Sequence, residues 1–279
     1  MTLGVIMSYL ATSDGNQLFY RDWGTGKPVI LIHGWPLNAD MWEYQMMAMA
    51  LRGHRVIAYD RRGFGRSSQP WAGYDYNTFA DDLKAIIDTL QLTDVALVGF
   101  SMGGGEVARY MSRHGGANVS RAVLVAAVTP MLLKTSDNAG GVAQSVFDDM
   151  VAQLKLDRPY FLANFGKQFF GAGLLNFTVT PEILDWAQSL AMVASPKATI
   201  DCIRAFSETD FRADLGAFNV PTLIIHGDAD VIVPIDISAR IAARMIKGCG
   251  LTEYTGAPHG LFFTHKEQLT NDLLLFLGS

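Results

Sequence analysis

Five short apolar runs, separated by amphipathic stretches, constrain the fold of this 279-residue chain more than any other feature. The runs occupy residues 28–32, 55–59, 95–100, 122–128 and 222–226, and they read PVILI, RVIAY, VALVGF, AVLVAAV and TLIIH. Because their apolar residues do not alternate with polar ones, they are typical of parallel strands that helices cover on both faces. The regular alternation of strands and helical patterns predicts an α/β fold with a mostly parallel sheet.

The segments between and before these runs follow helical and hairpin patterns. Apolar residues recur at three- and four-residue spacing over 79–90 and again over 269–277, which predicts two amphipathic helices. Thr78 and Asp81 have the spacing of a capping box at the start of the first helix. Residues 9–23 alternate about an Asp-Gly-Asn turn, which predicts an antiparallel hairpin at the edge of the sheet.

The stretch over residues 129–218 contains no such apolar run, although it is rich in Phe, Leu, Met and Ala. Its helical spacing, interrupted by prolines, predicts a helical insertion between two strands of the sheet. We therefore expect a helical cap over 129–218 on a core formed by 1–128 and 219–279. Most aromatic residues of the cap should fill its own core, and a few should line a pocket.

Composition and charge exclude several classes of protein. Hydrophobic residues make up 49% and charged residues 18%, so the chain can fill a large core and is not intrinsically disordered. The net charge of −5 and the absence of a basic block argue against a nucleic-acid partner. No apolar run is long enough to span a membrane, and the first ten residues lack the features of a signal peptide. With two cysteines that suit a reducing compartment, we expect a cytoplasmic protein.

The sequence Gly99-Phe100-Ser101-Met102-Gly103 follows an apolar run and precedes a helical pattern. This is the context that a nucleophile elbow requires. The glycines suit a strained turn in which side chains would clash and the serine hydroxyl stays exposed. The start of a helix also favours negative charge, because its first N–H groups lack intrahelical partners. We interpret Ser101 as a catalytic nucleophile.

A serine hydroxyl is a poor nucleophile without a base, and the chain contains six histidines. His259 lies between the strand-like residues 252–255 and the final helix. It follows both the serine and a suitable acid in chain order, as the order Ser–Asp–His requires. His33 and His226 each end an apolar run and are expected to shape loops rather than transfer protons. We therefore expect His259 to be the base.

The acid that orients the histidine should follow a strand, and Asp228 and Asp230 both follow the fifth apolar run. Spacing alone leaves both candidates open. Attack on a carbonyl also requires two backbone N–H donors for the oxyanion. Met102, directly after the serine, is one candidate. Trp35 is the other, because the next residue, Pro36, has no N–H.

Taken in order, these motifs resemble the α/β-hydrolase superfamily, and within it the group of cofactor-free haloperoxidases, arylesterases and γ-lactamases. The blocks that carry the resemblance are HGWPLNADMWEYQM (33–46), YDRRGFGRSSQPWAGYDY (59–76), GFSMGGGEVARYM (99–111), ETDFR (208–212), HGDADVIVP (226–234) and APHG (257–260). The resemblance implies the α/β-hydrolase fold, with an eight-stranded, mostly parallel sheet, helices on both faces and a helical cap. It also implies Asp230 as the acid, and Trp35 and Met102 as the oxyanion donors. Neither a metal nor an organic cofactor is implied.

The same resemblance implies a serine hydrolase of small carboxylic esters, of the arylesterase type. Members with good perhydrolysis carry a proline at the position of Pro36, so we expect a perhydrolase, or haloperoxidase, side activity in which hydrogen peroxide replaces water. A lactam or amide hydrolase with the same catalytic residues is the alternative, and a hydrolase-like ligand receptor is a weaker one. We expect Trp35, Phe100, Val128 and Ile232 to line the substrate pocket. The sequence leaves open whether the chain forms homo-oligomers.

Overall fold

A computed structural model describes residues 8–173 and 178–278, and one eight-stranded sheet lies at its centre. The strands are β1 (Ser8–Ala11), β2 (Gln17–Trp23), β3 (Pro28–Ile32), β4 (Arg55–Tyr59), β5 (Val95–Phe100), β6 (Val119–Val125), β7 (Thr222–Gly227) and β8 (Gly250–Tyr254). Their spatial order is β1-β2-β4-β3-β5-β6-β7-β8. The pairs β1–β2 and β2–β4 are antiparallel, and the other pairs are parallel. The predicted fold class and the edge hairpin are therefore confirmed.

The strands form where the apolar runs predict them, with one displacement. Every residue of β5 is buried, as expected for a central strand that is covered on both faces. The fourth run was expected to form a strand over 122–128, but β6 ends at Val125. The next residue, Ala126, has a φ of +46°, a left-handed conformation that cannot continue a strand. Ala127 and Val128 are nevertheless buried, and Ala127 lies against Gly104 on the helix that follows β5.

Ten α-helices connect and cover the strands in the described ranges. They are α1 (Glu43–Leu51), α2 (Tyr76–Thr89), α3 (Met102–Arg113), α4 (Gln144–Phe169), α5 (Pro181–Met192), α6 (Pro196–Glu208), α7 (Arg212–Leu215), α8 (Ala239–Met245), α9 (Leu261–Thr264) and α10 (Lys266–Leu277). The two predicted amphipathic helices correspond to α2 and α10. None of the described helices is both long and apolar enough to cross a membrane.

Helix α2 begins earlier than the predicted capping box indicates. Its N-cap is Asp75, whose Oδ1 accepts hydrogen bonds from the N–H groups of Asn77 at 3.0 Å and Thr78 at 3.1 Å. The Thr78 hydroxyl also donates to Asp75 Oδ2 at 2.8 Å, so Thr78 lies within the first turn. Asp75 thus satisfies N–H groups that a cap at Thr78 would have left unpaired.

Four helices, α4 to α7, lie between β6 and β7 in the chain, where the helical insertion was expected. Pro181 and Pro196 are the first residues of α5 and α6, the position at which proline costs no hydrogen bond. Pro159 lies inside α4, just after a kink at Asp157, whose φ of −153° is not helical. The division into a core and a separate cap stays a prediction.

Candidate active site

Ser101 lies in a sharp turn between β5 and α3. Its φ of +54° and ψ of −118° are strained for a residue with a side chain. The turn packs tightly, because a Cβ atom on Gly103 would lie 2.6 Å from the carbonyl oxygen of Ile32. A Cβ atom on Gly99 would in turn collide with the backbone of Gly103. The two glycines of the motif are therefore required sterically, as the sequence predicts.

The structure brings Ser101, His259 and Asp230 together from three separate loops. The Ser101 hydroxyl oxygen lies 3.0 Å from His259 Nε2, and His259 Nδ1 lies 2.6 Å from Asp230 Oδ2. The three residues are 6%, 1% and 5% exposed, respectively. This continuous chain of hydrogen bonds has the geometry in which an imidazole can remove a proton from a serine hydroxyl.

Asp230, not Asp228, reaches the histidine. Asp230 Oδ1 accepts hydrogen bonds from the N–H groups of Ile232 at 2.9 Å and Val233 at 2.8 Å, which fixes its orientation. The exposed Asp228 instead accepts a hydrogen bond from the N–H of Gly256 at 2.6 Å. Of the two candidates that spacing left open, the structure therefore brings only Asp230 into contact with His259.

The environment of Asp230 keeps its carboxyl group ionised. Burial by itself raises the pKa of Asp230. The opposing effects are the charge of His259 and the hydrogen bonds from His226 and His259, and together they hold the pKa well below its usual range. Asp230 can therefore stabilise a positive charge on His259 at neutral pH.

The two expected oxyanion donors, Met102 and Trp35, come from the turn at the serine and from a residue that lines the same cavity. Met102 is the first residue of α3, so its N–H has no acceptor within the helix. Trp35 lies in the loop after β3, and its indole Nε1 donates to the carbonyl oxygen of Thr199 at 2.9 Å, which fixes the side chain. Among the hydrogen bonds between described residues, none uses the backbone N–H of Trp35 or Met102. Both groups therefore remain available to an incoming oxygen.

A cavity of about 240 Å³ opens onto Ser101 and His259. Trp35, Val128 and Ile232 line it, as expected from the sequence, but Phe100 does not. The ring of Phe100 is fully buried and packs against the rings of Trp42, Phe169, His259 and Phe262. Phe100 therefore packs against the ring of His259, with centroids 5.0 Å apart, while Ser101 lines the cavity.

The sequence predicted that a few aromatic residues of 129–218 would line a pocket without saying which, and helix α4 contributes several of them. Its lining residues are Val146, Phe147, Met150, Phe161, Phe165 and Gln168. Phe165 packs edge-to-face against Trp35, with ring centroids 5.2 Å apart, so α4 directly contacts the loop that follows β3. The signal was present in the four-residue spacing of Phe161, Phe165 and Phe169, but that pattern does not show which face of a helix meets a site.

The sequence analysis did not anticipate a buried ion pair that contacts His33, at the end of β3. Arg61, after β4, lies 2.7 Å from Glu106 on α3, and both side chains are fully buried. The Glu106 carboxylate also accepts a hydrogen bond from the Tyr59 hydroxyl. Arg61 donates to the carbonyl oxygen of His33 at 2.9 Å, and its backbone N–H donates to His33 Nε2 at 2.9 Å. This network therefore connects the loop after β3 to α3, the helix that follows the serine.

The described residues include no group of three or more His, Cys, Asp and Glu arranged to hold a metal ion. Residues 27–266 match a family model described as the alpha/beta hydrolase fold. The chain is 43% identical to a non-heme chloroperoxidase of Kitasatospora aureofaciens, over 98% of this chain and 100% of the relative. It is 42% identical to a bifunctional esterase/perhydrolase of Acinetobacter calcoaceticus, with the same coverage.

The comparison with solved structures indicates the same family as these relatives. The crystal structure of a bromoperoxidase from Bacillus anthracis superposes with a TM-score of 0.93 at 46% identity, over 97% of this chain and 99% of that one. The similarity extends over nearly the full length of each chain and is not confined to the serine motif. The chain is therefore an enzyme of the α/β-hydrolase family, in the group that contains the cofactor-free haloperoxidases.

Proposed function

We propose that this enzyme hydrolyses small, uncharged carboxylic esters through a covalent intermediate on Ser101. The observation that carries the proposal is the continuous hydrogen-bonded chain from Ser101 through His259 to Asp230 at the cavity. A serine with such a partner forms an acyl-enzyme and thereby divides one difficult hydrolysis into two easier steps.

Each residue has a defined role in the proposed acylation. His259 Nε2 removes the proton as Ser101 Oγ attacks the ester carbonyl carbon, and Asp230 stabilises the imidazolium that forms. The carbonyl oxygen becomes an oxyanion, which accepts hydrogen bonds from the N–H groups of Trp35 and Met102. The tetrahedral intermediate then collapses, and His259 returns the proton to the departing alcohol. The ester bond is broken, and the acyl group remains on Ser101.

The cavity supports a small and uncharged substrate. Its volume of about 240 Å³ is below the roughly 300–1,000 Å³ of sites for drug-sized ligands. None of its described lining residues is Lys, Arg, Asp or Glu, and apolar side chains form most of the wall. A charged acyl or alcohol group would lose its hydration there without finding a partner. Short aliphatic and aryl esters fit these conditions.

Hydrogen peroxide can replace water in the second step. One of its oxygens attacks the acyl carbon while His259 accepts the proton from it. The tetrahedral intermediate then collapses, the bond to Ser101 Oγ breaks, and His259 returns the proton to Oγ, so the products are a peracid and free enzyme. The peracid then oxidises halide in solution, without a metal or organic cofactor. The similarity to a bifunctional esterase/perhydrolase and to haloperoxidases supports this side activity.

The test compares Ser101→Ala with Ser189→Ala, a substitution at an exposed serine on α5. Initial rates are measured for p-nitrophenyl acetate hydrolysis, and for peracetic acid formation from acetate and hydrogen peroxide. We expect Ser101→Ala to lower both rates by about 10³-fold or more, because removal of the nucleophile abolishes the acyl-enzyme. The Ser189→Ala variant should match the wild type. If Ser101→Ala lost hydrolysis but kept peracid formation, the two reactions would not share an acyl-enzyme.

A further inference from the structure

We propose that His226 is a positioning residue that holds the carboxylate of Asp230 against His259. This inference rests on the proposed roles of Ser101, His259 and Asp230. His226 lies on β7, four residues before Asp230, and its side chain is fully buried. The sequence indicated only that it would shape a loop, but the structure brings it into contact with Asp230.

One nitrogen of His226 faces two oxygen acceptors. Nε2 lies 2.8 Å from the carbonyl oxygen of Val233 and 3.3 Å from Asp230 Oδ2. Neither a carbonyl oxygen nor an ionised carboxylate can donate, so Nε2 must carry the hydrogen. That hydrogen is shared between the two acceptors, with the shorter distance to Val233. His226 therefore connects the backbone of the loop to the side chain that the loop presents.

The other nitrogen of His226, Nδ1, makes a histidine at this buried position costly. Nδ1 is buried and has no hydrogen-bond partner among the described residues. An unpaired buried polar atom costs stability, and a leucine of similar size would fill the space without that cost. The hydrogen bonds of Nε2 explain why a histidine is present despite this cost, because an apolar side chain could not donate to Asp230 Oδ2 or to the Val233 carbonyl oxygen.

The Asp230 carboxylate then faces four donors. Oδ1 accepts hydrogen bonds from the N–H groups of Ile232 and Val233, and Oδ2 lies between His259 Nδ1 at 2.6 Å and His226 Nε2 at 3.3 Å. About four acceptor positions are available on a carboxylate, so its capacity is used. Without His226, Oδ2 would keep a single donor, His259, which is the group that must be oriented. Removal of His226 should therefore reduce the time that His259 is aligned with Ser101.

The test uses two substitutions that differ in the donor. His226→Leu removes it, whereas His226→Gln places an amide N–H₂ group near the position of Nε2. We expect His226→Leu to lower kcat for p-nitrophenyl acetate by about 5- to 20-fold, the range for one weak hydrogen bond to a charged group, with KM nearly unchanged. His226→Gln should recover most of that loss. His114→Leu is the matched control, because His114 also contacts an aspartate, Asp81 at 2.9 Å, away from the cavity.

A double-mutant cycle with Asp230→Asn separates positioning from a general structural effect. If His226 acts through Asp230, adding His226→Leu to Asp230→Asn should change kcat by less than about twofold. An equal loss in both backgrounds would overturn the proposal, as would a folded His226→Leu variant with wild-type kcat. Thermal unfolding of each variant checks folding, and His226→Gln keeps the test decisive if the leucine variant does not fold. Failure of the proposed function itself would appear differently, as a wild-type kcat in Asp230→Asn alone.

Discussion

Replacing Asp230 with asparagine changes one atom that faces His259. In the wild type, Asp230 Oδ2 accepts from His259 Nδ1 at 2.6 Å, and Oδ1 accepts from the N–H groups of Ile232 and Val233. These two backbone donors should hold the asparagine oxygen in the Oδ1 position, so that its NH₂ group faces His259. Because two donors cannot pair, His259 must place its own hydrogen on Nε2, where it cannot accept the Ser101 proton.

The expected loss is large because the wrong tautomer of His259 dominates. We expect kcat for p-nitrophenyl acetate to fall by about 10³- to 10⁴-fold, which corresponds to about 4–5.5 kcal/mol of activation free energy. Asp228→Asn is the matched control. Asp228 accepts a hydrogen bond from Gly256 at 2.6 Å, and an asparagine oxygen keeps that acceptor. Its kcat should stay within about twofold of the wild type.

Either of two results would refute this reasoning. Retention of more than about a tenth of kcat by Asp230→Asn would mean that the carboxylate does not set the tautomer of His259. A larger loss in Asp228→Asn than in Asp230→Asn would mean that the acid is assigned to the wrong residue. Steady-state rates suffice to decide between these outcomes, provided that both variants show the thermal unfolding transition of a folded protein.

The same substitution has a consequence for stability at acid pH. The pKa of Asp230 in the folded enzyme lies well below its usual range: burial raises it, but the charge of His259 and the hydrogen bonds from His226 and His259 lower it further. The unfolded chain has the ordinary value of about 3.9. Ionised Asp230 therefore stabilises the fold fully above that pH, and the contribution is lost as the pH falls towards the folded pKa. In urea unfolding, the stability difference between the two proteins should shift in favour of Asp230→Asn below about pH 4.

Two further predictions concern side chains outside the hydrogen-bonded chain of Ser101. Glu106→Ala leaves the buried Arg61 guanidinium without its partner at 2.7 Å, so we expect the free energy of unfolding in urea to fall by about 3–5 kcal/mol; a loss below about 1 kcal/mol would contradict this. Met150 lines the cavity, whereas Met47 on α1 is 57% exposed. During turnover with acetate and hydrogen peroxide, peracid released into the cavity should transfer an oxygen atom to the Met150 thioether, giving sulfoxide and acetic acid, before it oxidises Met47. Peptide mass spectrometry measures the oxidation of both methionines. As a control, peracetic acid added to the solution should oxidise the exposed Met47 before Met150. Equal oxidation rates of the two residues during turnover would contradict the prediction.

Much of the sheet could be predicted because its strands are buried on both faces. The bounds of β3, β4 and β5 coincide with the apolar runs, since a buried strand has no position for a polar side chain. The same reasoning gave the wrong bounds for β6, which was predicted over 122–128 but spans Val119–Val125. Its run is apolar as far as Val128, but the backbone turns at Ala126 and leaves the sheet. An apolar run indicates that residues are buried, but it does not distinguish burial in a loop from burial in a strand.

The serine turn could also be predicted, because its requirements are local. Gly99 and Gly103 act within four residues, and their steric role follows from the turn itself. The acid could not be chosen in this way. Asp228 and Asp230 follow the same strand, and what separates them is that Asp230 meets His259, which arrives 29 residues later in the chain. Only a resemblance to a family could supply that contact before the structure did.

Residues that act through other side chains were the hardest to anticipate. His226 reads as the last residue of an apolar strand, and Glu106 reads as an ordinary charge in a helix. Both side chains are fully buried in the fold, and a buried polar group must have a hydrogen-bonding partner or it destabilises the protein. The partner of His226 is the carboxylate that also contacts His259, and the partner of Glu106 is an arginine that also donates to the carbonyl oxygen of His33. The geometry of the candidate site therefore depends on pairings between distant segments, and a sequence specifies these only through the folded chain.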